Sequence, residues 1–506
     1  MNPELILNLV AARDPRAPVL HAPGRRPLDG AGCLEQVERT VRALRQRGAR
    51  PESRVAVVLP NGPELAVSFL AVSAAATFAP LNPQYPVQEF LFYLKDLGAN
   101  VLITEEGFCP AAETAAAELG LPIWRLQPQP EQVAGRFLLD GPSIYAPVTA
   151  SESVHRESIA MLLHSSGTTA RPKLIPLTQA NLCASAKNIA RTLQLGERDL
   201  CLNVMPLFHI HGLIGALLSS VASGAAVFAT PGFNAFRFTR WMKESGATWT
   251  SAVPSMYQAL LARVGEQGSE DLCQFRFLRT GSSHIPAPVW QELESIFDCP
   301  VLNTYGMTEA SHQMASNLLP PRIRKIGTVG PATGPEIAVM GEDGSLLPAG
   351  CAGEVVIRGE TVTRGYLSPP SARETAFRNG WFRTGDEGRL DNDGYLTLIG
   401  RLKEMINVAG EKVAPAEVDE ILLQHPAVGQ ASAFGVPCST MGERVYAAVV
   451  LRGAADEREL RRFVRDRLAK FKVPEKILIV DEIPKGATGK VQRVSLAARL
   501  GVAPAN

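Results

Sequence analysis

The sequence carries almost no surplus of charge: 51 Lys and Arg stand against 50 Asp and Glu in 506 residues, a formal net charge of +1. A protein that held nucleic acid by bulk electrostatics would show a clear basic excess, so the composition argues against that class. Long hydrophobic runs are missing too. The stretch AVSFLAVSAAAT at 66–77 is too short, and too broken by Ser and Thr, to span a bilayer. The first residues, MNPELILNLVAARDPR, lack the basic start and cleavage pattern of a signal peptide, and the final Ala503-Pro504-Ala505-Asn506 matches no peroxisomal or ER-retention address. The eight cysteines (33, 109, 183, 201, 273, 299, 351 and 438) form no C-x-x-C pair, which argues against a disulfide framework or structural zinc. A globular protein of the cytoplasm with reduced thiols is expected.

What is present is material for large cores. Hydrophobic residues make up 46% of the chain, with 43 Gly and 38 Pro as punctuation, and the length suits two to four domains. From Val55 onward, short apolar runs alternate with helical stretches: VAVVLP (55–60) before a helix from Pro63, NVLIT (100–104) before PAAETAAAELG (110–120), and LIGALLSSVAS (213–223) before AAVFAT (225–230). That alternation predicts an α/β fold with parallel sheets covered on both faces. From about 320 to 398 the texture becomes short strands between Gly-rich turns, suiting a small antiparallel barrel or sheet. After Gly400 a compact α+β segment follows, with a charged amphipathic helix expected around Asp456–Lys470.

The most informative stretch is His164-Ser-Ser-Gly-Thr-Thr-Ala-Arg-Pro-Lys173. Hydroxyls, one Gly and a following Lys can turn N–H groups, O–H groups and a cation toward phosphate oxygens. It lacks the G-x-x-x-x-G-K-[ST] spacing of a Walker loop. Downstream, in order, come Tyr305-Gly-Met-Thr-Glu309, Trp381-Phe-Arg-Thr-Gly-Asp386, Gly400-Arg-Leu-Lys-Glu404 and Pro484-Lys-Gly-Ala-Thr-Gly-Lys490. Together these resemble the adenylate-forming superfamily, which includes acyl-CoA synthetases, adenylation domains and beetle luciferases. The resemblance runs from the Val55 region to Lys490.

The resemblance implies an N-terminal AMP-binding domain over 1–400 and a mobile C-terminal lid over 401–506. It also implies two half-reactions: a carboxylate attacks the α-phosphorus of ATP, and a thiol then takes the acyl group. On this reading Ser165, Ser166, Gly167, Thr168, Thr169 and Lys173 grip the β- and γ-phosphates. Thr308 meets the α-phosphate and Glu309 holds Mg²⁺. Asp386 binds ribose and Arg401 adds a second ribose or phosphate contact, while Tyr305 stacks on adenine opposite Gly281, Ser282, Ser283 and His284. Lys490 is the adenylation lysine, Lys403 the hinge, and Ala409 with Gly410 line the tunnel for the pantetheine arm of coenzyme A. Ala409, Ala170 and Leu174 stand where many relatives carry Gly, and each loss of Gly removes backbone freedom.

The acid is expected to be small and polar. His209, His211 and His312, with Ser282, gather near the expected acyl site and could bind a second carboxylate. The segments PLFHIHGL and YGMTEASHQMASN are similar to those of oxalyl-CoA synthetases. The apolar run LIGALLSS would instead suit an aliphatic chain. A medium- or long-chain fatty acid ligase and an enzyme loading a separate carrier protein therefore stay as alternatives. No nucleic-acid partner is expected.

Overall fold

The structure, a computed structural model, describes residues 4–145, 153–165, 172–267, 275–485 and 491–503. It is a mixed α/β fold with a large N-terminal domain and a smaller C-terminal one. Strands Val101–Thr104 and Trp249–Ala252 are buried at every position, as strands covered on both faces must be.

Two sheets with parallel interiors organise the large domain. The first runs, in spatial order, Phe137–Asp140, Ile123–Pro128, Val101–Thr104, Arg54–Val58, Thr77–Pro80, Ile159–His164 and Leu174–Thr178. The second runs His312–Ser316, Val301–Met307, Phe277–Thr280, Trp249–Ala252, Leu200–Asn203, Ala226–Ala229, Pro18–Ala22 and Arg25–Asp29. In both, the strands at the two edges pair antiparallel to their neighbours. Helix Pro63–Ser73 is buried along its length apart from Glu64 and packs on strands of both sheets. A helix apolar on all sides belongs in a core, and Phe69, Phe78, Trp124 and Trp249 complete the one around it.

The Gly-rich stretch folds as a five-stranded antiparallel sheet. Strands Glu336–Met340, Gly353–Arg358 and Trp381–Leu390 lie side by side, and the last also pairs with Phe377–Arg378 and Leu396–Arg401. The C-terminal domain has its own core, including Ile406, Val413, Val418, Leu422, Val445, Val449, Leu460 and Val464. Its charged helix spans Glu457–Arg465, shorter than the 456–470 expected. The Asp456 side chain caps it by accepting from the Glu459 amide, and Leu460 and Val464, four residues apart, face inward. Among the described residues no helix is long and apolar enough to cross a membrane.

Functional side chains collect where strands end. His164, Thr280 and Met307 close strands of the two sheets at their carboxyl ends, the usual place for ligand crevices in open α/β sheets.

Candidate active site

Strand Ile159–His164 runs into the phosphate loop and Leu174–Thr178 leaves it. The Ser165 amide donates to the Lys173 carbonyl at 2.8 Å, and the Lys173 amide donates to Ser165 Oγ at 3.1 Å, which ties the two ends of the loop together. Ser166, Gly167, Thr168, Thr169 and Ala170 lie outside the described residues, as does Lys490. Leu174, where relatives often have Gly, is buried in extended strand and exchanges backbone hydrogen bonds with 367–368, so no glycine is required there.

Lys173 Nζ lies 4.4 Å from the centre of the Tyr366 ring, and the Tyr366 hydroxyl donates to Glu309 Oε1 at 2.8 Å. Burial pulls the Lys173 ammonium below its ordinary pKa; Glu309 opposes that shift, while Lys403 and Arg401 add to it. Lys173, Lys403 and Arg401 thus share a small region with Glu309, while Arg401 is also paired with Asp386 and near Glu404; a polyphosphate would meet several cations there. Thr308 opens the short turn Thr308–Ala310 that presents Glu309. On the far side, Tyr305 donates its hydroxyl to Asp386 Oδ2, and Arg401 Nε stands 3.2 Å from Asp386 Oδ1. Gly281, leading into Ser282, Ser283 and His284, sits so close to Thr304 that an added Cβ would fall 2.5 Å from its hydroxyl, so that segment neighbours Tyr305.

A second constellation centres on Arg279, in the buried strand Phe277–Thr280 with 0% of its surface exposed. Its NH1 reaches Ser251 Oγ at 3.0 Å and His211 Nε2 at 3.3 Å; its NH2 reaches His312 Nδ1 at 3.2 Å and Gln313 Oε1 at 2.9 Å. His211 Nε2 also lies 2.6 Å from Ser251 Oγ, its Nδ1 lies 3.1 Å from Ser282 Oγ, and the two imidazole rings are 4.9 Å apart. Because a guanidinium only donates, the ring nitrogens facing it must accept, leaving His211 Nδ1 and His312 Nε2 as the N–H donors. Burial lowers the Arg279 pKa to about 10, so it stays charged at neutral pH.

Among the described residues no carboxylate pairs with that charge, and Arg279 Nε and the neighbouring Thr280 Oγ1 have no hydrogen-bond partner. An unpaired buried cation is costly unless a ligand supplies the counter-charge. The surrounding backbone is strained. Ser282 (φ 71°), Ser311 (φ 54°) and His312 (φ 103°) all occupy the left-handed region, a pattern that clusters at functional sites. Gly306 is obligatory beside them, since a Cβ there would lie 2.0 Å from the His312 carbonyl oxygen.

The structure therefore unites Lys173, Glu309, Arg401 and Lys403; Tyr305, Asp386 and Arg401; and His211, His312 and Ser282. His209 instead packs its ring 4.7 Å from that of Phe208. His284 is exposed, and Glu420 and Asp419 of the C-terminal domain oppose the desolvation that lowers its pKa. Lys403 follows the strand Leu396–Arg401, and Ala409 (φ 52°) and Gly410 (φ 93°) form the two-residue turn between Ile406–Val408 and Glu411–Val413. Both turn positions need left-handed backbone, which Gly adopts freely and which makes Ala409 the strained choice. Sequence reasoning missed Arg279, Ser251, Gln313 and Tyr366. The available signal for Arg279 was a charged residue inside FLRT, a run whose neighbours must be buried on both faces.

The family model described as AMP-binding enzyme matches residues 7–367, and the one described as AMP-binding enzyme C-terminal domain matches residues 417–490. The chain belongs to the AMP-binding enzyme family. Among similar members of this family is the oxalate–CoA ligase of Arabidopsis thaliana, 42% identical, with 96% of each chain covered. The oxalate–CoA ligase of Saccharomyces cerevisiae is 39% identical, covering 88% of this chain and 86% of its own. The crystal structure of ATP-bound MatB from Rhodopseudomonas palustris superposes with a TM-score of 0.87 at 27% identity over 99% of both chains.

Proposed function

We propose that this AMP-forming acid–CoA ligase takes oxalate as its acid. The observation that carries the proposal is the buried guanidinium of Arg279, without a carboxylate partner and screened from the cleft by two imidazoles and a serine hydroxyl. One carboxylate of oxalate reacts; the other accepts from Ser282 Oγ and His312 Nε2, with the Arg279 charge behind them. An aliphatic chain in the same place would leave these donors unsatisfied, and a site built around polar groups rejects analogues that cannot pair with them.

In the first half-reaction a carboxylate oxygen bonds to the α-phosphorus of ATP and pyrophosphate leaves. Lys173 and the loop it closes hold the phosphates, Thr308 meets the α-phosphate, and Arg401 and Asp386 hold the ribose beside Tyr305. The donor set suits Mg²⁺. Glu309 offers a hard carboxylate oxygen, its Oε1 is fixed by Tyr366, and among the described residues no cluster of three or more His, Cys, Asp or Glu competes for a softer metal. Bound there, Mg²⁺ supplies charge neutralisation to the phosphates. Lys490 supplies the cation at the reacting oxygens when the C-terminal domain closes. The domain then turns about Lys403, withdraws Lys490 and brings Ala409 and Gly410 to the pantetheine arm. In the second half-reaction the CoA sulfur bonds to the acyl carbon and AMP leaves. A carrier protein would present the same pantetheine thiol, and co-substrates of this kind fit action in the cytoplasm.

The test is incubation of purified enzyme with ATP, Mg²⁺ and oxalate, following pyrophosphate, then addition of CoA, following AMP and the thioester by mass spectrometry. Oxalate-dependent pyrophosphate release and an oxalyl thioester are expected. Absence of both, in enzyme that forms a thioester from another acid, would overturn the assignment of oxalate.

A further inference from the structure

The C-terminal domain contains a charged cluster that the reaction scheme above leaves unused. Arg493, three residues after Lys490, is directed into the domain. Its NH2 donates to Asp419 Oδ2 at 2.7 Å, and its NH1 donates to the Ala433 carbonyl at 2.9 Å and to Ser432 Oγ at 3.1 Å. Its Nε lies 3.7 Å from Glu404 Oε2. Asp419 is buried on helix Pro415–Leu423, and its other oxygen accepts the Ala433 amide. One guanidinium therefore joins four places in the sequence: the residue next to Lys403, a helix, a strand, and the segment that follows Lys490.

The segment's base is closed independently. Lys485 and Val491 form an antiparallel bridge, and Arg493 anchors the chain two residues beyond Val491. For stability alone, a buried ion pair is a poor choice, because apolar residues of the same size do as well or better. What a planar guanidinium adds, with donors fixed toward several acceptors, is set geometry between the elements it joins.

We infer that Arg493 is a positioning residue for adenylation: by joining the chain just after Lys490 to Asp419, and to Glu404 beside Lys403, it ties the approach to that lysine to the body of the C-terminal domain. The inference rests on the role proposed above for Lys490. Thioester formation, for which that lysine is withdrawn, does not need the clamp.

The experiment separates the half-reactions in full-length enzyme, using whichever acid the wild type adenylates. Arg493→Gln is expected to lower pyrophosphate release by about a hundredfold, the scale of an ångström-level misplacement, while leaving thioester formation from supplied acyl-adenylate unchanged. Arg493→Lys, which keeps the charge but not the fork, should recover only part of the loss. Ser432→Ala, removing one neutral contact of the same group, serves as the mild second variant and should act in the same direction. The decisive arm adds Arg493→Gln to Lys490→Ala: residues acting as a unit are non-additive, so the double variant should be no slower in adenylation than Lys490→Ala alone. Equal losses in both half-reactions, or a full further loss in the double variant, would overturn the inference. Failure of Lys490→Ala itself to impair adenylation would instead refute the role given to Lys490.

Discussion

Replacing Arg279 with Met should convert the enzyme from one that discriminates a second carboxylate into one that does not. Met roughly preserves the side chain's length while deleting the charge and its four hydrogen bonds to Ser251, His211, His312 and Gln313. Truncating one member of a buried, hydrogen-bonded charge pair costs ~2–5 kcal/mol. The guanidinium stands behind a neutral shell, which puts the expected cost toward the lower half of that range. At about 1.4 kcal/mol per factor of ten, kcat/KM for oxalate should fall roughly a hundredfold. Butyrate, which offers no second carboxylate, should lose little, so the ratio of the two efficiencies isolates the electrostatic effect from any general loosening. The assay is pyrophosphate release with each acid at fixed Mg·ATP, with thermal unfolding run in parallel because Met leaves His211, His312, Ser251 and Gln313 short of a donor. If oxalate and butyrate fall by the same factor in folded protein, or if oxalate is unaffected, Arg279 does not provide the anion site.

Further outcomes follow from the same geometry. Tyr366→Phe keeps the ring beneath Lys173 but removes the hydroxyl bonded to Glu309 Oε1; Mg²⁺ affinity, measured by titrating Mg²⁺ against nucleotide binding, should drop ~10–100-fold, as for other groups that orient a metal ligand. Gly215→Ala would place a Cβ 2.9 Å from His312 Nε2 and 3.2 Å from His211 Cδ2, forcing the rings to shift; the KM for oxalate should rise with the KM for ATP unchanged, and a change confined to ATP would contradict the placement. His164 ends the strand Ile159–His164 with its Nε2 3.1 Å from Asp96 Oδ2, yet burial holds its pKa below the ordinary value. The folded state therefore takes up fewer protons than the unfolded one below about pH 6.5, so stability should fall as pH drops toward 5. Denaturant unfolding across that range should show a shallower decline in His164→Asn.

The residues read as nucleotide-binding could be picked out because each motif is local. The loop from His164 to Lys173 is one hairpin connection, and Asp386 and Arg401 sit opposite each other on paired strands of the small sheet. The acyl side was legible only in part. His211, His312 and Ser282 announce themselves as polar residues in otherwise apolar segments, but the group that orients them does not. Ser251 and Arg279 sit opposite each other on neighbouring parallel strands whose register is set by a crossover, and His312 joins them from the antiparallel edge strand beyond Val301–Met307. No short window contains that information, and Arg279 in FLRT looks locally like the polar end of a strand. Tyr366 is hidden for the same reason: it meets Glu309 and Lys173 only after residues 360–369 dock against the strand beginning at Leu174. The lid's charged cluster likewise joins Glu404, Asp419 and Arg493 across long separations.

The most direct test of the central claim is a comparison of kcat/KM for oxalate, malonate, benzoate, hexanoate and palmitate under saturating ATP and CoA. Oxalate is expected to rank first, malonate to follow with its second carboxylate displaced by one methylene, and the acids without a second carboxylate to trail both. Saturation by hexanoate or palmitate with no response to oxalate would contradict the account.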